Sequence, residues 1–331
     1  MGVENLEALL VQLVVRPMGP GEELELNREF CRVFNERRSL AVWRWKFEAH
    51  GLGTYVMVAT NPAGKFLAHY AGVPVRFRTP VGERLAAQVA DVFSVPEGRE
   101  GLAAGKAYLE AMAAFFEMFC GPGKLALLFG FPSQRPLKLG KLTGRYSQIP
   151  DQPVLLCRCP AASLRPAELS RFSVHWGLAP SLFEQVWQNH QDRFAFATVR
   201  DAAYLRWRYL AHPAATYQAL ALLRAGEPLA WAVFRELPSS LAMVDWAGPP
   251  EVPVWRALLA TAAERFGRRA HRTMEAWLAG DPSMTEVLRE LGFTVEEHPA
   301  VRLAVRVFHP DMNPASVPGR FFVTWGDTDL I

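Results

Sequence analysis

The sequence predicts a mixed α/β protein made of two similar domains, and three observations carry that prediction. The segment 41–68 returns at 203–230 with 12 identities in 28 ungapped pairs, among them Arg44/Arg206, Trp45/Trp207, His50/His212, Tyr55/Tyr217 and Gly64/Gly226. A shared helical pattern would not fix Trp, His and Gly together. Each copy is followed by runs of strand period and then by a run of helix period, an order that builds a sheet covered by helices. The 331 residues give each half the length of an ordinary domain, not of a short solenoid repeat.

Composition agrees with a globular chain: 50% of residues are hydrophobic, 21% are charged, and there are ten Trp and 21 Phe. A net charge of +3 is too mild to mark a nucleic-acid surface by itself, while anionic small ligands remain open. No stretch of about 18 uninterrupted apolar residues occurs. The first residues, MGVENLEALL, carry acids where a secretory signal carries bases, so a cytoplasmic protein without membrane partners is expected. Cys31, Cys120, Cys157 and Cys159 form no CxxC pair and have no His at ligand spacing, which reads as buried thiols and no metal site.

In the first half, 9–18 reads as a strand and 21–35 as a helix with Leu24, Phe30, Val33 and Phe34 on one side. The repeated segment starts as a short helix marked by Val42, Trp45, Phe47 and Ala49, ended by His50-Gly51. Three strands follow at 54–60, 65–78 and 83–95, joined by Asn-Pro-Ala-Gly and Pro-Val-Gly turns. Leu102, Leu109, Met112, Phe116 and Phe119 then form one apolar stripe of a helix, and Gly121-Pro122-Gly123 stops it. The nearly all-apolar run 124–132 reads as a strand covered on both faces, with a short helix and a closing hairpin after it.

The second half repeats the order: strand 172–178, helix 180–190, the repeated segment, and strands 216–224, 228–237 and 241–248. A helix at 252–266 and a strand at 272–280 come next. The last helix is punctuated by Asp281 as N-cap, Pro282 in its first turn and Gly292 at its end, with Met284, Val287, Leu288 and Leu291 apolar. The domains are therefore set at 1–160 and 167–331, with a linker from Pro160 to Pro166.

The passage most suited to chemistry is VFSVPEGREGLAAGKAYLEAM (92–112). Gly98, Gly101, Ala103 and Ala104 leave room for a phosphate to approach backbone N–H groups at a helix N-terminus, and Arg99 adds a full charge. An ordinary glycine-containing turn reads equally from the same residues. Val-Pro-x-x-Arg-x-Gly before an alanine-rich helix, Gly-Phe-Pro ending the buried strand, and the order of elements resemble the GNAT superfamily of acyl-CoA-dependent N-acyltransferases. The repeat makes that resemblance one to a tandem, two-domain GNAT protein.

The resemblance implies a mixed, mostly antiparallel sheet flanked by helices in each domain, with acetyl-CoA or another acyl-CoA as co-substrate. It places the pyrophosphate cradle on Val95, Arg99, Glu100, Gly101, Leu102, Ala103 and Ala104, although Gly101 stands two residues after Arg99 where the family has three. The corresponding passage of the second domain, 243–259, has no Arg-x-x-Gly, so only the first domain is expected to bind CoA.

Catalysis in the family needs an amine delivered to a thioester, a route for its proton and a donor for the departing thiolate. Asp91, in the strand leading to the loop, is the nearest carboxylate fixed in direction, and a structural hydrogen-bond acceptor is its other reading. The family's Tyr acid has no clear match in 133–146, where only Tyr146 occurs; Ser133 after Gly-Phe-Pro is the substitute. Arg44, Trp45, Arg206 and Trp207 offer planar forks and flat faces for an acceptor, while their repetition equally marks a fold requirement. Asp327 and Asp329 near the C-terminus could take an amino or hydroxyl group, or belong to a solvated chain end.

The expected function is acyl transfer, with acetyl as the first choice, from CoA to a small amine acceptor (an amino sugar, an amino acid or a peptide) by direct attack in a ternary complex. Two alternatives stay open. One is a Fem-like or carrier-protein-dependent transferase, for which an aminoacyl-tRNA or acyl carrier would need a basic docking face beginning at Arg76, Arg78 and Arg84. The other is an inactive pair of GNAT-like domains serving as a binding protein.

Overall fold

The computed structural model describes residues 13–95, 106–132, 152–164, 171–266 and 273–329. The chain divides into two compact units. The first holds 1–75, 85–129 and 307–310; the second holds 76–84, 130–306 and 311–331.

Unit 1 carries a sheet of order β1 (Val14–Pro17), β2 (Tyr55–Thr60), β3 (Phe66–Thr79), β4 (Gly82–Ser94) and β5 (Leu127–Gly130). β1, β2 and β3 pair antiparallel and β4 pairs parallel with β5, giving the mixed sheet the sequence implies. Two helices, α1 (Glu23–Phe34) and α2 (Leu40–Phe47), separate β1 from β2, and α3 (Lys106–Phe119) connects β4 to β5.

The helix faces differ from the expected ones. On α1 the buried residues are Leu26, Asn27 and Phe30, while Leu24 and Phe34 are 45% and 42% exposed. Asn27 is turned inward because its side chain donates to the Arg38 carbonyl at 3.0 Å and accepts from Arg38 Nε at 2.7 Å. On α2, Trp43, Lys46 and Phe47 are buried and Trp45 is half-buried. On α3 the stripe runs through Ala107, Tyr108, Ala111, Met112 and Phe115. In each case small or polar residues decided which face was inward, which a count of large apolar residues misses.

Unit 2 runs β7 (Ser173–Trp176), β9 (Gln218–Arg224), β10 (Glu227–Glu236), β11 (Ser240–Ala247) and β12 (Thr273–Ala279) in sheet order, with β11 and β12 parallel. Helix α4 (Pro180–His190), the repeat helix α5 (Ala202–Leu205) with its wide turn Arg206–Leu210, α6 (Val252–Phe266) and α7 (Pro282–Glu290) complete it. α7 begins as expected, Asp281 accepting from Met284 N at 3.0 Å, and ends at Gly292 with φ of 88°.

The units do not follow a boundary at 160. Strand β6 (Gln152–Pro160) lies in the second unit, antiparallel to both β12 and β13 (Thr294–Val307). The hairpin tip 76–84 also belongs there, with Phe77 and Arg78 opposite Thr198 and Ala197 of the short strand β8 (Ala197–Thr198). Pairing across more than a hundred residues leaves no local signature.

The repeated segment has one design in both units. Ser39 and Asp201 are the extended N-cap residues of α2 and α5 and accept from Val42 N at 3.4 Å and Tyr204 N at 2.7 Å. His50 Nδ1 accepts from Leu52 N at 3.1 Å, and His212 Nδ1 accepts from Ala214 N at 3.1 Å and Ala215 N at 2.9 Å. Burial pushes both imidazoles down to about 4, so the accepting nitrogen stays unprotonated and the turn after each helix stays closed. That is why His is repeated.

Cys120, Cys157 and Cys159 are buried and Cys31 is half-buried; burial pushes Cys157 and Cys159 up to about 12, so neither is a thiolate near neutral pH. Among the described residues no helix is long and apolar enough to cross a membrane.

Candidate functional site

In unit 1 the parallel pairing of β4 and β5 is short. Ala86, Ala87 and Gln88 face Leu127, Leu128 and Phe129, and there the register ends. β4 runs on to Ser94, and its continuation remains tied to β3, since Val95 N donates to the Leu67 carbonyl at 3.0 Å. On its other side no strand among the described residues pairs with β4 beyond Gln88. β5 ends in Gly130-Phe131-Pro132, and a proline cannot extend a central ladder. The pairing of the two strands thus ends at Gln88 and Phe129.

A bulge sits in this stretch of β4. Asp91 has a φ of 51°, the left-handed region that an aspartate tolerates better than most residues, and it breaks the alternation of the strand: Ala90 and Asp91 are buried in succession. The Asp91 carboxylate is 7% exposed and is held by two cations. Arg38 donates to Oδ2 and Lys46 Nζ donates to Oδ1 at 2.7 Å. Arg38 also lies 3.6 Å over the Phe30 ring. His69, 1% exposed, donates from Nδ1 to the Asp91 carbonyl at 2.6 Å and stacks on Phe93.

Burial alone would raise the Asp91 carboxyl; Lys46 and Arg38 outweigh it and hold the group below its ordinary value. His69 is pushed down to about 4 by burial, so it is neutral at physiological pH. A general base has to be able to take up a proton, and both oxygens of this buried carboxylate are already engaged by cations. Asp91 is therefore an anchor that fixes the bulge, which corrects its expected role as base.

Unit 2 contains the same arrangement with different contents. β11 pairs with β12 only through Met243 and Ala276. One residue later β11 bulges, Val233 facing Asp245 and Phe234 facing Met243, which leaves Val244 extra. Asp245 accepts from Arg200 Nε at 2.8 Å and from the Tyr209 hydroxyl at 2.7 Å. Here the strands are bridged by β14 (Val323–Thr324): Thr324 and Val323 pair with Leu278 and Ala279 of β12, and Thr324 Oγ1 donates to Asp245 Oδ1 at 3.0 Å.

Asp327 accepts from Arg200 Nη2 at 2.7 Å and from Thr324 N at 2.8 Å, and it is 5% exposed. Burial disfavours the Arg200 cation, and Asp245 with Asp327 outweigh this and keep it charged. Asp327 is thus closed inside unit 2 and not offered to an acceptor, a second correction; Asp329 is exposed.

The remaining expected residues sort by burial. Arg44 is exposed and pairs with Glu23 at 2.9 Å, Arg206 is exposed, and Trp45 is half-buried. Trp207, 9% exposed and packed against Tyr204, presents no flat face for a ligand. Val95 is fully buried at the end of β4. Arg99, Glu100, Gly101, Leu102, Ala103, Ala104 and Ser133 lie outside the described residues.

Arg38, Lys46, His69, Arg200, Tyr209 and Asp245 were not singled out from the sequence. Two signals lead to Arg38, Arg200 and Asp245. Extending the repeat three residues upstream pairs Arg38 with Arg200, and Asp-x-x-x-x-Pro-Glu occurs at both 91–97 and 245–251.

No family model and no curated protein matches the sequence. Solved structures do match the fold. A conserved Enterococcus faecalis V583 protein of unknown function, described as a probable N-acyltransferase, superposes with a TM-score of 0.70 at 14% identity, over 90% of this chain and 73% of that one. A GCN5-related N-acetyltransferase from Anabaena variabilis ATCC 29413 gives 0.66 at 13% identity, over 90% and 73%. Saccharomyces cerevisiae N-myristoyltransferase with bound myristoyl-CoA gives 0.54 at 8% identity, over 93% and 86%. The chain has the fold of the GCN5-related N-acetyltransferases.

Proposed function

We propose that the protein is an acyl-CoA-dependent N-acyltransferase whose donor site is the strand opening of unit 1. The observation that carries this reading is the strand edge of β4 past the last β4–β5 pair, Gln88 with Phe129. An extended arm bearing amides can add to such an edge as a further strand, its own N–H and C=O groups completing the ladder. The arm of CoA has that chemistry, and Arg99 and Gly101, which follow the same strand in the sequence, would supply charge and space for its pyrophosphate. Neither an aminoacyl-tRNA nor a carrier protein finds comparable support in a chain of net charge +3.

The reaction is direct transfer. The acceptor amine attacks the thioester carbonyl, a C–N bond forms as the C–S bond breaks, and the amine's proton leaves while the thiolate is protonated. With Asp91 engaged by Arg38 and Lys46, water carries the acceptor's proton out. Acetyl is the acyl group and a small-molecule amine the acceptor of this reading.

Calorimetry with acetyl-CoA tests it, with Arg99→Glu as the control. Micromolar binding lost in the variant is expected; no binding at millimolar donor overturns the acetyl-CoA reading and moves the weight to a carrier-bound donor or to a binding protein.

A further inference from the structure

We infer that the C-terminal segment Val323–Thr328 is a built-in occupant of unit 2, filling the strand opening that in unit 1 receives the acyl donor, so that each chain binds one acyl-CoA and not two. The inference rests on the proposed reading of unit 1 as the donor site.

The two openings are built alike. Each starts where a parallel pair stops, at Gln88/Phe129 in unit 1 and Met243/Ala276 in unit 2. Each has a bulge just beyond, with a buried aspartate held by the arginine that precedes the repeat helix's N-cap. What differs is the occupant. In unit 2 β14 pairs with the edge of β12 past Ala276 and its Thr324 hydroxyl reaches Asp245 of β11, so the segment takes the place between the two strands that an arm on β11 would need.

The occupant is fixed from several sides. Arg208, the counterpart of Lys46, donates to the carbonyls of Gly326 at 3.0 Å and Thr328 at 2.9 Å, so a cation that serves the aspartate in unit 1 serves the segment here. Trp325 stacks on Trp277 of β12 with ring centres 4.2 Å apart. Gly326 passes so close to the Tyr209 hydroxyl that no side chain fits. Arg200 ties Asp327 to Asp245, binding segment and strand through one buried guanidinium. A segment so held cannot leave for a ligand without uncovering Arg200 and two carboxylates together.

Hydrogen exchange on the full chain, with and without saturating acetyl-CoA, together with the calorimetric stoichiometry, tests this. The expected result is one equivalent of donor per chain, with amides of 323–328 exchanging as slowly as those of 277–279 and unaffected by donor. Two equivalents, or loss of protection at 323–328 on adding donor, overturns the inference. If no donor binds at all, the acyl-CoA reading of unit 1 fails by itself; slow exchange at 323–328 then still supports the occupied opening, and rapid exchange overturns it.

Discussion

Asp91 and Asp245 are counterparts: each sits at a bulge of the strand that precedes the parallel pair's separation, and each accepts from an arginine directly before the N-cap of the repeat helix, Arg38 and Arg200. The second carboxylate oxygen distinguishes them, taking Lys46 in unit 1 and the Tyr209 hydroxyl in unit 2. Both aspartates lock a helix to a bulge, and in unit 2 the adjoining opening is bridged by β14.

Replacing Asp91 by Ala strands Arg38 and Lys46 in a buried site. Breaking such a pair costs about 3–5 kcal/mol, and urea unfolding of Asp91→Ala is expected to fall in that range. Because the folded carboxyl is held below its ordinary value of 3.8, its stabilisation is complete above that value and is lost as pH falls through the lower folded one. A wild-type stability would make the anchor role untenable.

His69 produces a second pH effect at higher pH. Its imidazole is pushed from 6.5 to about 4 by burial, so the unfolded chain binds the extra proton between those values. Stability is full above about 6.5 and declines as pH falls toward 4, with His50 and His212 adding to the same window. Thermal melts from pH 7.5 to 4 should show a shallower decline in His69→Gln than in the wild type; equal slopes would count against a neutral buried His69.

Arg200→Met leaves Asp245 and Asp327 facing each other without their common cation. The expected loss is again about 3–5 kcal/mol. Adding Asp245→Asn and Asp327→Asn to the same chain should recover stability, because the buried charges go with the cation. Failure of the triple variant to exceed the single one would show that packing, not charge, sets the cost.

Gly326→Ala drives a methyl group into the Tyr209 hydroxyl and to 3.1 Å from the Val244 carbonyl. Tyr209→Phe removes the first obstacle and keeps the second. A double-mutant cycle by chemical denaturation should give a coupling of about 0.5–3 kcal/mol, in the direction of partial rescue. Additive effects would mean the segment shifts instead of pressing on Tyr209.

The elements themselves were legible. Helix α6 spans the residues that periodicity predicts, and the Asp281, Pro282 and Gly292 punctuation of α7 is met in place. Strand alternation and turn residues placed β2, β3, β4 and β10 within one or two residues of their ends. These properties depend on neighbours within a few positions, where φ preference, capping and burial of one face act directly on the chain. The inward faces of α1 and α2 were less legible, because Asn27 and Lys46 are buried for their hydrogen bonds and not for their hydrophobicity.

By itself the sequence determined that the chain is an α/β protein in which one segment occurs twice, since periodicity and identity are written locally. Only the tertiary structure decided that Asp91 is a clamped anion, that β6 belongs with β12 and β13, and that Asp327 closes an opening in unit 2. Those outcomes join residues 45 to more than 130 positions apart, and the energy that selects them comes from desolvating charges and strand edges together, which no local pattern records.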